Sequence, residues 1–195
     1  MLLTTATLQN MLGNYKNPHT KIERMVQNQD LFPVKRGLYE TEKDQYSFLL
    51  AEAIYSPSYL SFEFALSYYG LIPEWVPWVT SATYKKRRRK EYVNRYGQFS
   101  YQDVPASIYF YGVEEKHYES YPYHLATPEK ALCDQLYTIC PSCETAQELA
   151  VLLVENLRIE EEDLQNLSFP DLQYLSEHYP NKNVRFVYDA IARYI

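Results

Sequence analysis

The sequence predicts an α+β protein, with a small N-terminal unit followed by a larger α+β domain. Three observations carry that expectation. Residues 5–40 read as helix, turn, helix and hairpin. After Pro73 the apolar period changes from 3.6 to 2, and after Pro128 it returns to 3.6. Tyr is abundant, 21 of 195 residues against 5 Gly, which suits partly wet sheet faces and interfaces. The expected division is 1–43 and 44–195. The second part would comprise helices over 44–72, a central antiparallel sheet over 76–125 and helices over 127–195.

The chain in order supports each element. Residues 5–13 form a short helix, with Thr5 as cap, Leu8, Met11 and Leu12 as apolar face and Gly13 at the end. Asn14–Asn17 is a turn. Pro18 follows an Asn cap at the first helical position, where proline is tolerated. The helix over 18–29 buries Ile22, Met25 and Val26. Its opposite face carries Thr20, Lys21, Arg24, Gln27 and Asn28, with Glu23 beside them. Leu31–Glu40 is a hairpin pattern with its tip at Lys35-Arg36-Gly37. Helix, turn, helix and a hairpin with a basic tip is the order of a winged helix-turn-helix, here truncated. Such domains usually carry another helix before these two, and only Met1 to Thr4 precede them here.

Residues 44–56 are expected to be helical, with Phe48, Leu49, Ala51, Ala53 and Ile54 on a broad apolar face. Tyr59–Pro73 reads as one short buried helix capped by Ser61 and stopped by Gly70. Val76–Tyr84, Glu91–Tyr101, Ser107–Val113 and Tyr118–Leu125 read as about four antiparallel strands. Between the first two lies Lys85-Lys86-Arg87-Arg88-Arg89-Lys90. That run is either a contact with nucleic acid or an acidic surface, or a solvated end that protects a sheet edge. Thr127-Pro128-Glu129 starts a helix by cap, proline and first-turn carboxylate. Thr145-Ala146-Gln147-Glu148 is a capping box, and 160–195 is helical with breaks at Pro170 and Pro180.

The net charge of −6 argues against a wholly basic coat, but the charge is uneven. Residues 125–195 balance at −7 and residues 1–124 at +1, so a polyanion should meet the earlier part. Met1-Leu2-Leu3-Thr4-Thr5 lacks the basic start and apolar run of a secretory signal, and no stretch reaches membrane-span length. Three Cys make no disulfide framework, so a reducing cytoplasm is expected.

Tests for chemistry return little. Cys140-Pro141-Ser142-Cys143 follows a helix end, whereas a redox motif wants a helix start. With Cys133 it still lacks a fourth zinc ligand. His19, His117, His124 and His178 show no metal spacing, and no phosphate-cradling Gly loop occurs. Glu63, Asp103, Glu129 and Asp134 could be assembled into a nuclease site. Glu63, Glu129 and Asp134 each also have a helix-start or helix-surface explanation. No catalytic residue, metal or cofactor is expected.

Four segments together resemble one family. They are Leu60-Ser61 with Ala65-Leu66-Ser67-Tyr68-Tyr69-Gly70-Leu71-Ile72-Pro73; Leu31–Tyr39; Thr80–Thr83 with Tyr96–Tyr101; and Ala126–Tyr137. In that order they resemble the AbiEi-type antitoxins, transcriptional regulators of abortive-infection toxin–antitoxin systems. The resemblance covers roughly residues 5–140. It implies a non-enzymatic antitoxin and autorepressor used in phage defence. The winged helix would bind operator DNA, and the larger domain would counteract a nucleotidyltransferase-like toxin. DNA contact would fall on Thr20, Lys21, Arg24, Gln27, Lys35 and Arg36. Two rivals stay open: a protein-binding module with a degenerate winged helix, and a metal-dependent nuclease. No membrane partner is expected.

Overall fold

A computed structural model describes residues 1–194. The N-terminal unit begins with β1 (Leu2–Thr4), which runs directly into α1 (Thr5–Met11). The cap of α1 is Thr4 rather than Thr5: its Oγ1 accepts from the Thr7 amide at 3.1 Å. α2 (Pro18–Gln27) starts by the expected device, with Asn17 Oδ1 accepting from the Thr20 amide at 3.3 Å. β2 (Phe32–Lys35) and β3 (Leu38–Glu40) form the hairpin. β1 pairs with β3, giving a three-stranded sheet in the order β1-β3-β2. That first strand was not expected, because three residues are too few to show a period. Leu3, Leu8, Ile22 and Leu31 make a small core on the helix-covered side. Val34 and Leu38 belong to the main core instead, so the small sheet is sandwiched between its own helices and the rest of the chain.

The expected helix over 44–56 is a 3-10 turn at Ser47–Leu50 followed by a single turn of α3 (Ala51–Ile54). Next come β4 (Ser58–Leu60), α4 (Phe62–Tyr68), β5 (Trp78–Thr83), β6 (Lys90–Asn94) and β7 (Gly97–Asp103). β8 (Val113–Tyr118) and β9 (Tyr121–Ala126) complete the sheet. Its order is β6-β7-β5-β4-β9-β8. The expected antiparallel sheet of about four strands is therefore corrected to six strands in a mixed sheet. β5 pairs with β7 in parallel, and β4 with β9. Strand direction depends on crossovers, which the period of a single strand does not contain. Two local expectations also fail. Tyr59 and Leu60 belong to β4, whose three residues are all buried and show no alternation. Residues 107–112 are turns, and only Val113 begins a strand.

α4 exchanges its cap. Ser61 stands at the cap position, but its hydroxyl donates to Asp134 Oδ2 at 2.7 Å. Thr80 Oγ1 substitutes, accepting from the Phe64 amide at 3.1 Å and donating to the Ser61 carbonyl at 2.6 Å.

α5 (Pro128–Thr138) is capped by Thr127 as expected. It crosses the interior, with every residue from Glu129 to Gln135 buried. Glu129 keeps its expected place in the first turn although it is buried, and Asp134 is a core residue, which corrects its helix-surface assignment. Asp134 accepts from Tyr59 Oη at 2.9 Å, Ser61 Oγ at 2.7 Å and Lys130 Nζ at 2.6 Å. It also accepts from Tyr179, whose hydroxyl lies against Lys130 as well. Burial pushes the Tyr59 and Tyr179 hydroxyls well up, so both remain donors. Buried charges need such pairing to persist.

The helical C-terminus follows. α6 (Ala146–Val151) is capped by Thr145, and a π turn at Leu152–Asn156 extends it. α7 (Glu161–Gln165), α8 (Phe169–His178), α9 (Lys182–Arg185) and α10 (Val187–Ile191) complete it. Ile195, last residue of the expected helical segment, lies outside the described residues. Among the described residues no helix is long and apolar enough to cross a membrane.

Candidate nucleic-acid interface

α2 offers a short polar face. Ile22 anchors it in the small core, 1% exposed, so the residues one turn around point outward. Arg24 and Gln27 are exposed, while Thr20 and Lys21 are half-buried. Lys21 lies over the Tyr15 ring, with its ammonium 5.5 Å from the centroid. Glu23 is exposed beside them.

The hairpin tip divides its two cations. Arg36 stands exposed in the turn, whose Gly37 takes a φ of +80° that a β-carbon would strain. The Gly37 carbonyl accepts from the Thr5 amide at 2.9 Å, which ties the tip to the start of α1. Lys35 is exposed too, but its ammonium reaches back to the body. Its Nζ donates to the Ile54 carbonyl at 2.5 Å, and burial pulls its pKa down.

The basic run is the β5–β6 loop, and it is built rather than loose. Asp103 at the end of β7 holds it by three hydrogen bonds: Thr83 Oγ1 at 2.6 Å, the Lys86 amide at 3.0 Å and the Arg87 amide at 2.5 Å. Lys85 and Arg87 take positive φ of 53° and 64° within that clamp. Lys86 Nζ donates to the Ser56 carbonyl at 2.8 Å and lies over the Tyr55 ring. Arg87, Arg88, Arg89 and Lys90 are exposed, and Arg89 makes a surface pair with Glu91 at 3.2 Å.

The structure therefore brings two predicted groups together. Lys35 and Lys86 are anchored on carbonyls two residues apart, which an extended chain separates by about 7 Å. The hairpin tip and the basic loop meet at the 54–56 turn. β6 adds to the junction: Asn94 Nδ2 donates to the Val34 carbonyl at 2.9 Å, and the Arg95 guanidinium stacks 4.4 Å from the Phe32 centroid. Thr20, Lys21, Arg24 and Gln27 lie beyond the small sheet from that junction. Sequence reasoning missed Arg95 and the clamping role of Asp103. Asp103 sits 16 residues from the Arg87 amide it accepts from, so only strand pairing reveals the contact.

The four nuclease-candidate carboxylates have separate structural partners. Glu63 Oε1 accepts from Gln135 Nε2 at 2.9 Å, and Glu129 Oε1 from the Ser168 amide at 2.7 Å. Asp103 holds the basic loop and Asp134 the buried network. Among the described residues no three His, Cys, Asp or Glu side chains gather as a metal site. The three Cys are free, and burial pushes the thiols of Cys133 and Cys143 up.

The architecture is that of a mixed α+β protein built on a central mixed sheet. The sequence matches no family model and no curated protein. The fold is similar to the crystal structure of the RV2827C protein from Mycobacterium tuberculosis, with a TM-score of 0.60 at 13% sequence identity. The similarity covers 100% of this chain and 74% of that one. At that identity the likeness concerns the fold alone.

Proposed function

We propose that the chain is a DNA-binding regulator of the AbiEi antitoxin type, with residues 1–43 acting as a winged helix. The observation that carries this reading is the strand–helix–helix–strand–strand order with its β1-β3-β2 sheet. The exposed Arg24, Gln27 and Arg36 support it. In this reading α2 enters the major groove and Thr20, Lys21, Arg24 and Gln27 face base edges and flanking backbone. Arg36 neutralises flanking phosphates, and the exposed cations of 87–90, across the small sheet from α2, meet phosphates further along the duplex. The larger domain counteracts a nucleotidyltransferase-like toxin encoded beside it.

One observation favours the rival protein-binding module: Lys35 already donates to Ile54 and is withdrawn from a wing contact. Titrating fluorescent DNA from the chain's own promoter region separates the two. The regulator binds that DNA more tightly than a scrambled duplex, and Arg24→Ala lowers the preference by about 1–3 kcal/mol. Equal affinity for both duplexes, unaltered by Arg24→Ala, would sink the winged-helix assignment.

A further inference from the structure

A cleft of ≈ 760 Å³ opens on one face of the β5–β7 pair, within the size range of small-molecule sites. Alternation along the two parallel strands supplies its floor: Trp78 and Thr80 from β5, Ser100 and Gln102 from β7. α4 contributes Glu63, and α5 contributes Gln135. The 71–77 loop presents Trp75, and Arg89 of the basic loop flanks the side next to β6.

Two features mark the cleft as prepared for a ligand. Trp75 is 84% exposed, and the loop that carries it is fastened: Ser67 Oγ donates to the Glu74 carbonyl at 3.0 Å, and Arg158 pairs with the Glu74 carboxylate at 2.7 Å. An indole held in water on a fixed loop is a stacking platform without an occupant. Gln135, only 8% exposed, donates to Glu63 Oε1 at 2.9 Å and so orients that carboxylate before anything binds.

We propose that this cleft binds a mononucleotide, with the base stacked on tryptophan, a base amino group donating to Glu63 and the phosphate at Arg89. A nucleotide needs a π-face, a planar hydrogen-bonding edge and a cation for its phosphate, and these are the three chemistries the cleft brings together. The present partner of Arg89, Glu91 at 3.2 Å, forms an exposed pair that phosphate can displace. Arg89, and not Arg158, lines the cleft, which makes it the phosphate ligand. A neutral sugar would use the indoles and amides but not Arg89. The carboxylate acceptor at Glu63 favours guanine, which donates from both N1–H and its 2-amino group, over uracil, which has a single N3–H donor.

The chain's two tryptophans both line the cleft, so intrinsic fluorescence reports on it directly. The full chain is titrated with GMP, UMP, guanosine, inorganic phosphate and maltose. Saturable quenching by GMP is expected, tighter than by UMP. Arg89→Ala should weaken GMP by about tenfold or more and leave guanosine unchanged. Glu63→Ala should erase the GMP-over-UMP preference. Matching thermal melts show that both variants fold. No saturable quenching by GMP, equal GMP affinity in Arg89→Ala, or maltose binding as tightly as GMP would overturn the assignment. Promoter-DNA binding is read on the wild type, because Arg89 belongs to both proposals: operator binding without GMP quenching sinks the cleft assignment alone.

Discussion

In the N-terminal unit the buried core is four apolar side chains, Leu3, Leu8, Ile22 and Leu31, while Arg24, Gln27 and Arg36 stand in solvent. In the body the arrangement is reversed around α5. Lys130 and Asp134 are fully buried with Tyr59, Ser61 and Tyr179 around them, and the apolar core is far larger. A four-residue core gives little cooperative stability of its own. The small unit therefore leans on the body through Lys35 to Ile54 and Asn94 to Val34. The body fixes its own geometry by a polar network whose members come from β4, the cap of α4, α5 and the residue after α8. One region leaves Arg24 and Arg36 in solvent and buries only Glu40, while the other buries an ion pair at the centre of its packing.

The largest test of that contrast is Asp134→Ala. It leaves the Lys130 ammonium buried without its carboxylate, and should cost about 3–5 kcal/mol in urea unfolding. Lys130→Met with Asp134→Leu together should cost far less than the single change, since no lone charge remains. A single-variant cost under about 1 kcal/mol would mean that water reaches the site.

Leu8→Ala comes next, at about 2–5 kcal/mol, because it hollows the small core. Amide exchange should accelerate over residues 1–40 and remain slow in β5 and β7. Uniform acceleration would show that the two regions unfold as one. Asn94→Ala removes a single hydrogen bond between them and should cost about 0.5–1.5 kcal/mol, with faster exchange concentrated in β2.

The smallest effect concerns acid. Hydrogen bonds from Ser168 and the Tyr111 hydroxyl hold the Asp171 carboxyl below its usual range. A depressed carboxylate stabilises the fold above its unfolded pKa of about 3.9 and loses that contribution as pH falls through the folded value. Tyr111→Phe should lower stability at neutral pH and flatten the profile below about pH 4, where variant and wild type converge. An unchanged acid limb would show that Asp171 contributes nothing through Tyr111.

Much of the N-terminal unit was legible because its signals are local. Asn17-Pro18 starts α2, and Arg36-Gly37 turns the hairpin. Thr127-Pro128 marks the start of α5 for the same reason. The body was less legible because its signals are tertiary. Lys130 and Asp134 are four residues apart, a spacing that is the same for a solvated helix pair as for a buried one. Three-residue strands such as β1 and β4 carry no readable period, and parallel pairing follows from crossovers. The meeting of Lys35 with Lys86, and the clamp of Asp103 on the basic loop, exist only once the sheet is assembled.

The central proposal is that α2 with the hairpin tip, and the β5–β6 loop on the other side of the small sheet, touch phosphates of one duplex. The direct measurement is the slope of log affinity against log salt for promoter DNA. It should be made on the wild type, on Arg24→Ala with Arg36→Ala, and on Arg87→Ala with Arg88→Ala. Each double substitution should flatten the slope by up to about two units, one for each phosphate that is no longer neutralised. Slopes identical to wild type in both variants would contradict the claim.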